Sequence, residues 1–259
     1  MRLKDKVIIV TGSTTGIGEA IARRCVAEGA RVLVHGRNEA RGREVVDSLG
    51  ESAALCIADL SQPEAAGELV QAAVDAWGKI DGVVNNAACL KRGDIRSTDA
   101  GLFDEVIATN VRTPFLLIKA ALDELSRTKG AVLNIGSINA FCGEPKLMAY
   151  SMSKGALMTM SRNLSNSLGH LGVRVNHFNV GWVLTPNEYK LKIADGLSED
   201  WPDHVDPKTA ICGRLMKPEE IATAAVYWLG DESRPISGSV VDLEQYTVIG
   251  RFSTDWEEE

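Results

Sequence analysis

Short apolar runs alternate with longer amphipathic stretches along this chain. The runs at 6–11, 31–35, 53–57, 82–85, 131–135, 174–179 and 239–243 predict strands. Several are apolar throughout, as in Val7-Ile8-Ile9-Val10, which is how strands covered on both faces read. Between them, helical periodicity predicts helices at about 16–28, 39–49, 63–77, 101–126, 149–168 and 218–229. Pro63 and Pro218 are expected in first turns, where a missing N–H costs nothing. The alternation predicts an α/β fold: a doubly wound, mostly parallel sheet of seven strands with helices on both faces. One segment, 186–213, breaks the pattern with polar, turn-rich sequence and two X-Pro pairs, Trp201-Pro202 and Asp206-Pro207. With no linker or repeat elsewhere, the chain reads as one domain over 1–259, with 186–213 as a lid over its site. That segment carries Leu191, Ile193, Leu197, Trp201 and Ile211, which would equally pack permanently on the domain.

Composition narrows the function classes. At 259 residues with 45% apolar residues, the chain can bury a large core without staples. A net charge of −7 argues against nucleic-acid binding, which needs a basic face. No apolar run approaches the ~20 residues of a membrane span, and the charged start, Met1-Arg2-Leu3-Lys4, does not resemble a signal peptide. Cys25, Cys56, Cys89, Cys142 and Cys212 are scattered and odd in number, so they read as small buried side chains in a reducing compartment, with no metal site. The expectation is a cytoplasmic protein acting on a small molecule.

Two groups of residues carry chemistry. Thr11-Gly12-Ser13-Thr14-Thr15-Gly16-Ile17-Gly18 follows the first strand and opens the first helix. Its glycines would let the backbone approach a diphosphate at the helix N-terminus, although they would also serve an ordinary tight turn. The second strand ends His35-Gly36-Arg37-Asn38, without the carboxylate that would bind the ribose hydroxyls of NAD. Arg37 offers a guanidinium fork for a 2′-phosphate, unless it is simply a solvated arginine. Farther on, Tyr150 and Lys154 share one helical face, and Ser137 follows the strand at 131–135. A phenol beside an ammonium can exchange a proton nearer neutral pH, and a hydroxyl can hold a substrate oxygen. Taken alone, Tyr-x-x-x-Lys is common on solvated helices.

In order along the chain, the glycine turn, Asn85-Asn86-Ala87-Ala88, Asn110, Ser137 and Tyr150-x-x-x-Lys154 resemble the short-chain dehydrogenase/reductase family, in its short single-domain branch. The resemblance runs from about residue 4 to 243. It implies a catalytic set of Asn110, Ser137, Tyr150 and Lys154. Tyr150 would be the general acid/base, Ser137 the substrate anchor, and Lys154 the ribose-binding group that depresses the Tyr150 pKa. Asn110, inside the long helix after the fourth strand, would hold a water leading to solvent. Cofactor contacts are implied at Gly12, Ser13, Thr14, Gly16, Ile17, Gly18, Arg37, Asp59, Leu60, Asn86, Ala87, Gly181, Val183 and Thr185, beside Tyr150 and Lys154. The activity implied is an NADP(H)-dependent interconversion of alcohol and carbonyl in a homodimer or homotetramer paired through the helices at 101–126 and 149–168. An NAD-dependent enzyme and a non-catalytic dinucleotide sensor are the alternatives.

The chain departs from the family pattern at three places. Ala88 stands where the family has glycine, which should be tolerated. Val180-Gly181 replaces Pro-Gly, and Asp242-Leu243-Glu244 replaces Asp-Gly-Gly, which predicts an altered C-terminal path. The tail Asp255-Trp256-Glu257-Glu258-Glu259 reads as a solvated acidic end.

Overall fold

Seven parallel strands form one sheet in the order β3-β2-β1-β4-β5-β6-β7 in the computed structural model, which describes residues 1–249. The acidic tail lies outside the described residues. The strands are β1 (Val7–Val10), β2 (Arg31–Gly36), β3 (Ala53–Ile57), β4 (Gly82–Asn85), β5 (Ala131–Ile135), β6 (Arg174–Val180) and β7 (Val240–Leu243). The helices are α1 (Gly16–Ala27), α2 (Glu39–Leu49), α3 (Ala65–Trp77), α4 (Ala100–Ile107), α5 (Thr113–Ala120), α6 (Leu122–Thr128), α7 (Met148–Leu168), α8 (Pro186–Ala194) and α9 (Pro218–Leu229).

Side chains alternate between two buried layers. Ile8, Val10, Val32, Val34, Leu133 and Phe178 pack against α1, α2 and α9 on one face. Ile9, Leu33, Val83, Val132 and Val175 pack against α3, α5, α6 and α7 on the other. Both faces are dry, which explains the continuous apolar strands. The chain winds outward from β1 to β3, then returns to place β4 beside β1. That reversal opens a crevice at the carboxyl ends of β1 and β4, where such sheets bind ligands.

Local sequence explains where the elements differ from expectation. Pro218 occupies the first turn of α9 as expected, whereas Pro63 sits in the turn before α3, which starts at Ala65. The helix expected over 101–126 is three α-segments, with a π turn at Ala108–Arg112. Pro114 has no N–H, so the α-helical bond to the Asn110 carbonyl four residues earlier cannot form. The segment 186–213 holds α8 and one 3₁₀ turn at Trp201–Asp203. Of its apolar residues Trp201 is buried, Leu191 and Ile193 are half-buried, and Leu197 and Ile211 are exposed.

Phe178 is fully buried in the layer against α9. Phe178→Ala should therefore cost about 3–5 kcal/mol in urea denaturation, through lost contact and the cavity left behind.

Candidate active site

The glycine turn is built by hydrogen bonds that consume most of its own polar groups. Gly12 and Gly16 both adopt positive φ, at 64° and 59°, which other residues resist. A Cβ on Gly12 would lie 2.9 Å from the Ala87 Cα, so the segment after β4 presses on the turn. The buried Ser13 hydroxyl donates to the Val10 carbonyl and accepts from the His35 amide. His35 in turn accepts the Gly12 N–H at Nδ1 (3.0 Å) while Nε2 donates to the Ala58 carbonyl. Asn86 donates its amide to the Thr11 and Gly12 carbonyls, and the Thr11 hydroxyl accepts the Asn86 and Ala87 N–H groups. Ser13, Asn86 and the Gly12 amide thus shape the turn from within.

What the turn leaves open is suited to an anion. Thr15, the residue before α1, makes no side-chain cap, so the helix presents its first amides uncapped. Thr14 packs its side chain over Gly36, joining the turn to the end of β2. Arg37 follows there, exposed and with no hydrogen bond or ion pair among the described residues. Asp59 is also exposed, with its carboxylate held below the usual range by the Ser61 amide and hydroxyl, and after them by the charge of Arg37. Leu60 is buried beside it, and Ile17 packs into the core under the turn. Thr185 closes the other side, 3.4 Å from where a Gly16 side chain would begin. A dinucleotide fits this donor set: uncapped amides for its diphosphate and a free guanidinium at one end.

The second group gathers on the buried face of α7. Tyr150, Ser153, Lys154, Leu157 and Ser161 recur at helical spacing and all face inward. Lys154 donates to the Ile135 carbonyl at 2.8 Å, leaving two of its three N–H donors unused, and burial pulls its pKa down to about 8. Its Nζ lies 5.5 Å from the centre of the Tyr150 ring. Ser137, two residues beyond β5, accepts the Asn139 amide, and its hydroxyl lowers the Tyr150 pKa. Burial pushes Tyr150 up to about 12, Ser137 offsets part of that, and the Glu188 carboxylate adds to it. The expected depression of the phenol by Lys154 is therefore not found in the chain alone: burial raises its pKa, and the lowering comes from Ser137.

Asn110 sits in the π turn, not in a regular helix, and it is almost fully buried. Its side chain accepts the Cys89 N–H (2.7 Å) and donates to the Cys89 carbonyl and the Ser153 hydroxyl. Ser153 donates to the Tyr150 carbonyl, so Asn110 is tied to the phenol's own helix turn. With the amide engaged, a water there would have to use another atom, and Pro114 frees the Asn110 carbonyl from its α-helical bond.

Sequence reasoning missed a buried polar chain beneath this group. Donation running Asn85 to Asn134 (2.8 Å), Asn134 to Ser161 (2.8 Å), Ser161 to His177 Nδ1 (3.0 Å), His177 Nε2 to Asn179 (3.0 Å) and Asn179 to Asp242 (3.0 Å) satisfies every group along it. A side chain on Gly136, next to Ser137, would meet His177 Nε2 at 2.0 Å, so this ring supports the Ser137 turn. The available signal was polarity inside an otherwise apolar strand: Asn176, His177 and Asn179.

The two C-terminal departures compensate each other. β7 still pairs with β6, and Glu244 then folds back over Gly181, where a Cβ would lie 1.8 Å from its carboxylate. Glu244 accepts the Trp182 amide at 3.1 Å, so a carboxylate organises the turn that a proline usually fixes. Val183 is buried and bridges Met216, and Thr185 caps α8 by accepting the Glu188 N–H.

Comparison with known proteins agrees with this geometry. A family model described as enoyl-(acyl carrier protein) reductase matches residues 12–244. The NADP-dependent (R)-specific alcohol dehydrogenase of Lentilactobacillus kefiri is 33% identical, over 93% of this chain and 96% of its own. The 3-beta-hydroxysteroid dehydrogenase of Comamonas testosteroni is 31% identical, over 92% and 94%. A crystal structure of 3-ketoacyl-(acyl-carrier-protein) reductase from Brucella melitensis complexed with NADH superposes with a TM-score of 0.81 at 28% identity, covering 93% of this chain and 97% of that one. The chain belongs to the short-chain dehydrogenase/reductase family. It is an oxidoreductase acting between CH–OH and C=O with a nicotinamide dinucleotide. Among the described residues no helix is long and apolar enough to cross a membrane.

His35 and His177 are both pushed down to about 4, chiefly by burial, so both rings are neutral in the folded state. The unfolded chain binds their protons near pH 6.5, so stability is full above that value and falls as the pH drops toward 4. Urea midpoints should decline across this window, and a His35→Gln/His177→Asn double variant should decline less steeply.

Proposed function

We propose that this chain is an NADP(H)-dependent oxidoreductase interconverting an alcohol and a carbonyl, with Tyr150 as general acid/base. The observation that carries the reading is the convergence of Ser137, Tyr150 and Lys154 on one buried face, at the carboxyl end of β5. Bound nicotinamide supplies or accepts the hydride. Ser137 holds the substrate oxygen, and Tyr150, protonated at neutral pH with its raised pKa, gives that oxygen its proton in the reducing direction. Lys154 has two donors left for ribose hydroxyls and places positive charge behind the phenol as it loses its proton. Asn110 fixes the turn of α7 and offers its carbonyl to a water that refills Lys154.

Gly16, Gly18, Thr14 and Arg37 would hold the diphosphate and 2′-phosphate, Asp59 and Leu60 the adenine side, and Ala87, Gly181, Val183 and Thr185 the nicotinamide side. Support for NADP(H) over NAD(H) is an Arg37 without a hydrogen bond or ion pair among the described residues, and no carboxylate at the end of β2. A sensor without chemistry is less well supported, because it has no use for a buried lysine beside a buried phenol. Residues 186–213 would cover the substrate: they pack mainly on their own cluster around Trp201, and an Arg92–Asp195 pair (2.8 Å) latches them to the far wall. The exposed Phe115 on α5 and Met152 on α7 favour pairing of these helices in a homodimer or homotetramer, and the reduced cysteines favour the cytoplasm.

Two measurements test this reading. Tyr150→Phe removes the transferable proton and little else, so turnover should fall about 10²–10⁴-fold while cofactor affinity holds. Near wild-type turnover would exclude Tyr150 as the acid/base. For the cofactor, a charge-assisted contact of about 1.5–3 kcal/mol predicts NADPH binding roughly 10- to 150-fold tighter than NADH by calorimetry. Arg37→Ala should erase most of that difference, and equal affinities in the wild type would remove the preference.

A further inference from the structure

The residue before Ser137 is a glycine because of the space a histidine takes. Gly136 does not have positive φ, yet a Cβ on it would lie 2.0 Å from His177 Nε2, 2.6 Å from His177 Cε1 and 2.8 Å from the Phe178 carbonyl oxygen. The Gly136 N–H donates to that carbonyl at 2.6 Å and carries the β5–β6 pairing one residue past the strand. Register explains the contact. Asn134 on β5 stands opposite His177 on β6, so Gly136, two residues on, shares their face. The edge of the imidazole therefore fills the place where a side chain at 136 would stand.

The same ring reaches α7. His177 Nδ1 lies 3.0 Å from the Ser161 hydroxyl, and Asn134 donates to that hydroxyl at 2.8 Å. Ser161 lies on the buried face of α7 with Lys154 and Tyr150. Lys154 spans from the Ile135 carbonyl, at 2.8 Å, to the Tyr150 ring, whose centre is 5.5 Å from Nζ. His177 thus touches both the backbone that carries Ser137 and the helix that carries the phenol.

Asp242 sets which nitrogen of the ring carries the proton. It stands opposite Asn179 in the β6–β7 register, and an ionised carboxylate can only accept, so Asn179 turns its amide nitrogen to it (3.0 Å). The Asn179 oxygen is then left for His177 Nε2, which must donate (3.0 Å). Nδ1 remains bare and accepts from Ser161, whose other neighbour, the Leu157 carbonyl at 2.8 Å, already takes part in the helix. We propose, on the oxidoreductase reading above, that His177 is a positioning residue, locked by Asn179 and Asp242 so that its ring fixes the Gly136–Ser137 backbone against α7 and sets where the Ser137 hydroxyl meets the substrate oxygen. His177 then acts on turnover through Ser137, and its influence vanishes in a chain that lacks the Ser137 hydroxyl.

Reduction of cyclohexanone, ethyl acetoacetate and benzaldehyde with NADPH is compared in the wild type, Ser137→Ala, His177→Asn and the double variant. Ser137→Ala should lower kcat about 10²-fold. His177→Asn keeps an acceptor for Ser161 but withdraws from Gly136, and should lower kcat about tenfold with NADPH affinity by calorimetry unchanged. The double variant should be no slower than Ser137→Ala alone. His177→Gln, whose amide nitrogen reaches the place of Nε2, should lose only about threefold. Losses that multiply in the double variant would make His177 a purely structural residue and overturn the proposal. Independently of turnover, ¹⁵N-labelled histidine should show the wild-type His177 protonated at Nε2 alone at pH 7. Asp242→Ala, at an exposed position, should admit the Nδ1–H form. A wild-type ring protonated at Nδ1, alone or together with Nε2, would also overturn the proposal. Undiminished turnover in Ser137→Ala, or no reduction of any of the three carbonyls with either nicotinamide cofactor, would instead sink the oxidoreductase reading, while the histidine spectrum still decides the lock.

Discussion

Covering both faces of a parallel sheet is the constraint on which this molecule depends. β1 and β4 are buried throughout, with α1, α2 and α9 on one face and α3, α5, α6 and α7 on the other. No ligand can approach through those layers, so chemistry is confined to the strand ends. The reversal between β1 and β4 leaves an opening there, and each residue of the candidate site follows the carboxyl end of a strand or lines the helix beside it.

A dry interior makes polar groups expensive, and the two buried histidines meet that cost by pairing both ring nitrogens. His35 divides its two nitrogens between the Gly12 amide and the Ala58 carbonyl, a division only one neutral tautomer allows. His177 does the same between Ser161 and Asn179. Neither histidine is placed to do chemistry, yet one shapes the cofactor turn and the other supports the Gly136–Ser137 backbone. Such fully satisfied networks favour a single arrangement, because any shift strands a buried donor.

Tyr150 and Lys154 follow a different rule, since burial here disfavours the charge of each. The phenol is held protonated and the ammonium is held weakly, which suits a pair whose charges change during a reaction. Glu244 shows a third strategy. Where a proline would stiffen the turn after β6 by covalent geometry, this chain uses a carboxylate from beyond β7 to hold the Trp182 amide. The result fixes Trp182, which stacks on Trp201, against the end of the sheet.

Much of this was legible in the residues themselves. Continuous apolar strands determined the parallel sheet, because only doubly covered strands can be apolar at every position. The glycines after β1 and the spacing of Tyr150 and Lys154 were legible as the two ends of the candidate site, because both are local patterns on one element. A single unbroken helix over 101–126 does not form, and Pro114 marks in the sequence the interruption at Asn110. Contacts between distant segments were not legible. Nothing near Glu244 in sequence indicates that it reaches Trp182, 62 residues away. The partners of His177 come from α7 and β6 itself, and Trp182 finds Trp201 only because a loop folds back on it. Local pattern decided which elements form and which face they bury; the meeting of side chains across elements was left to tertiary packing, since no spacing along the chain encodes it.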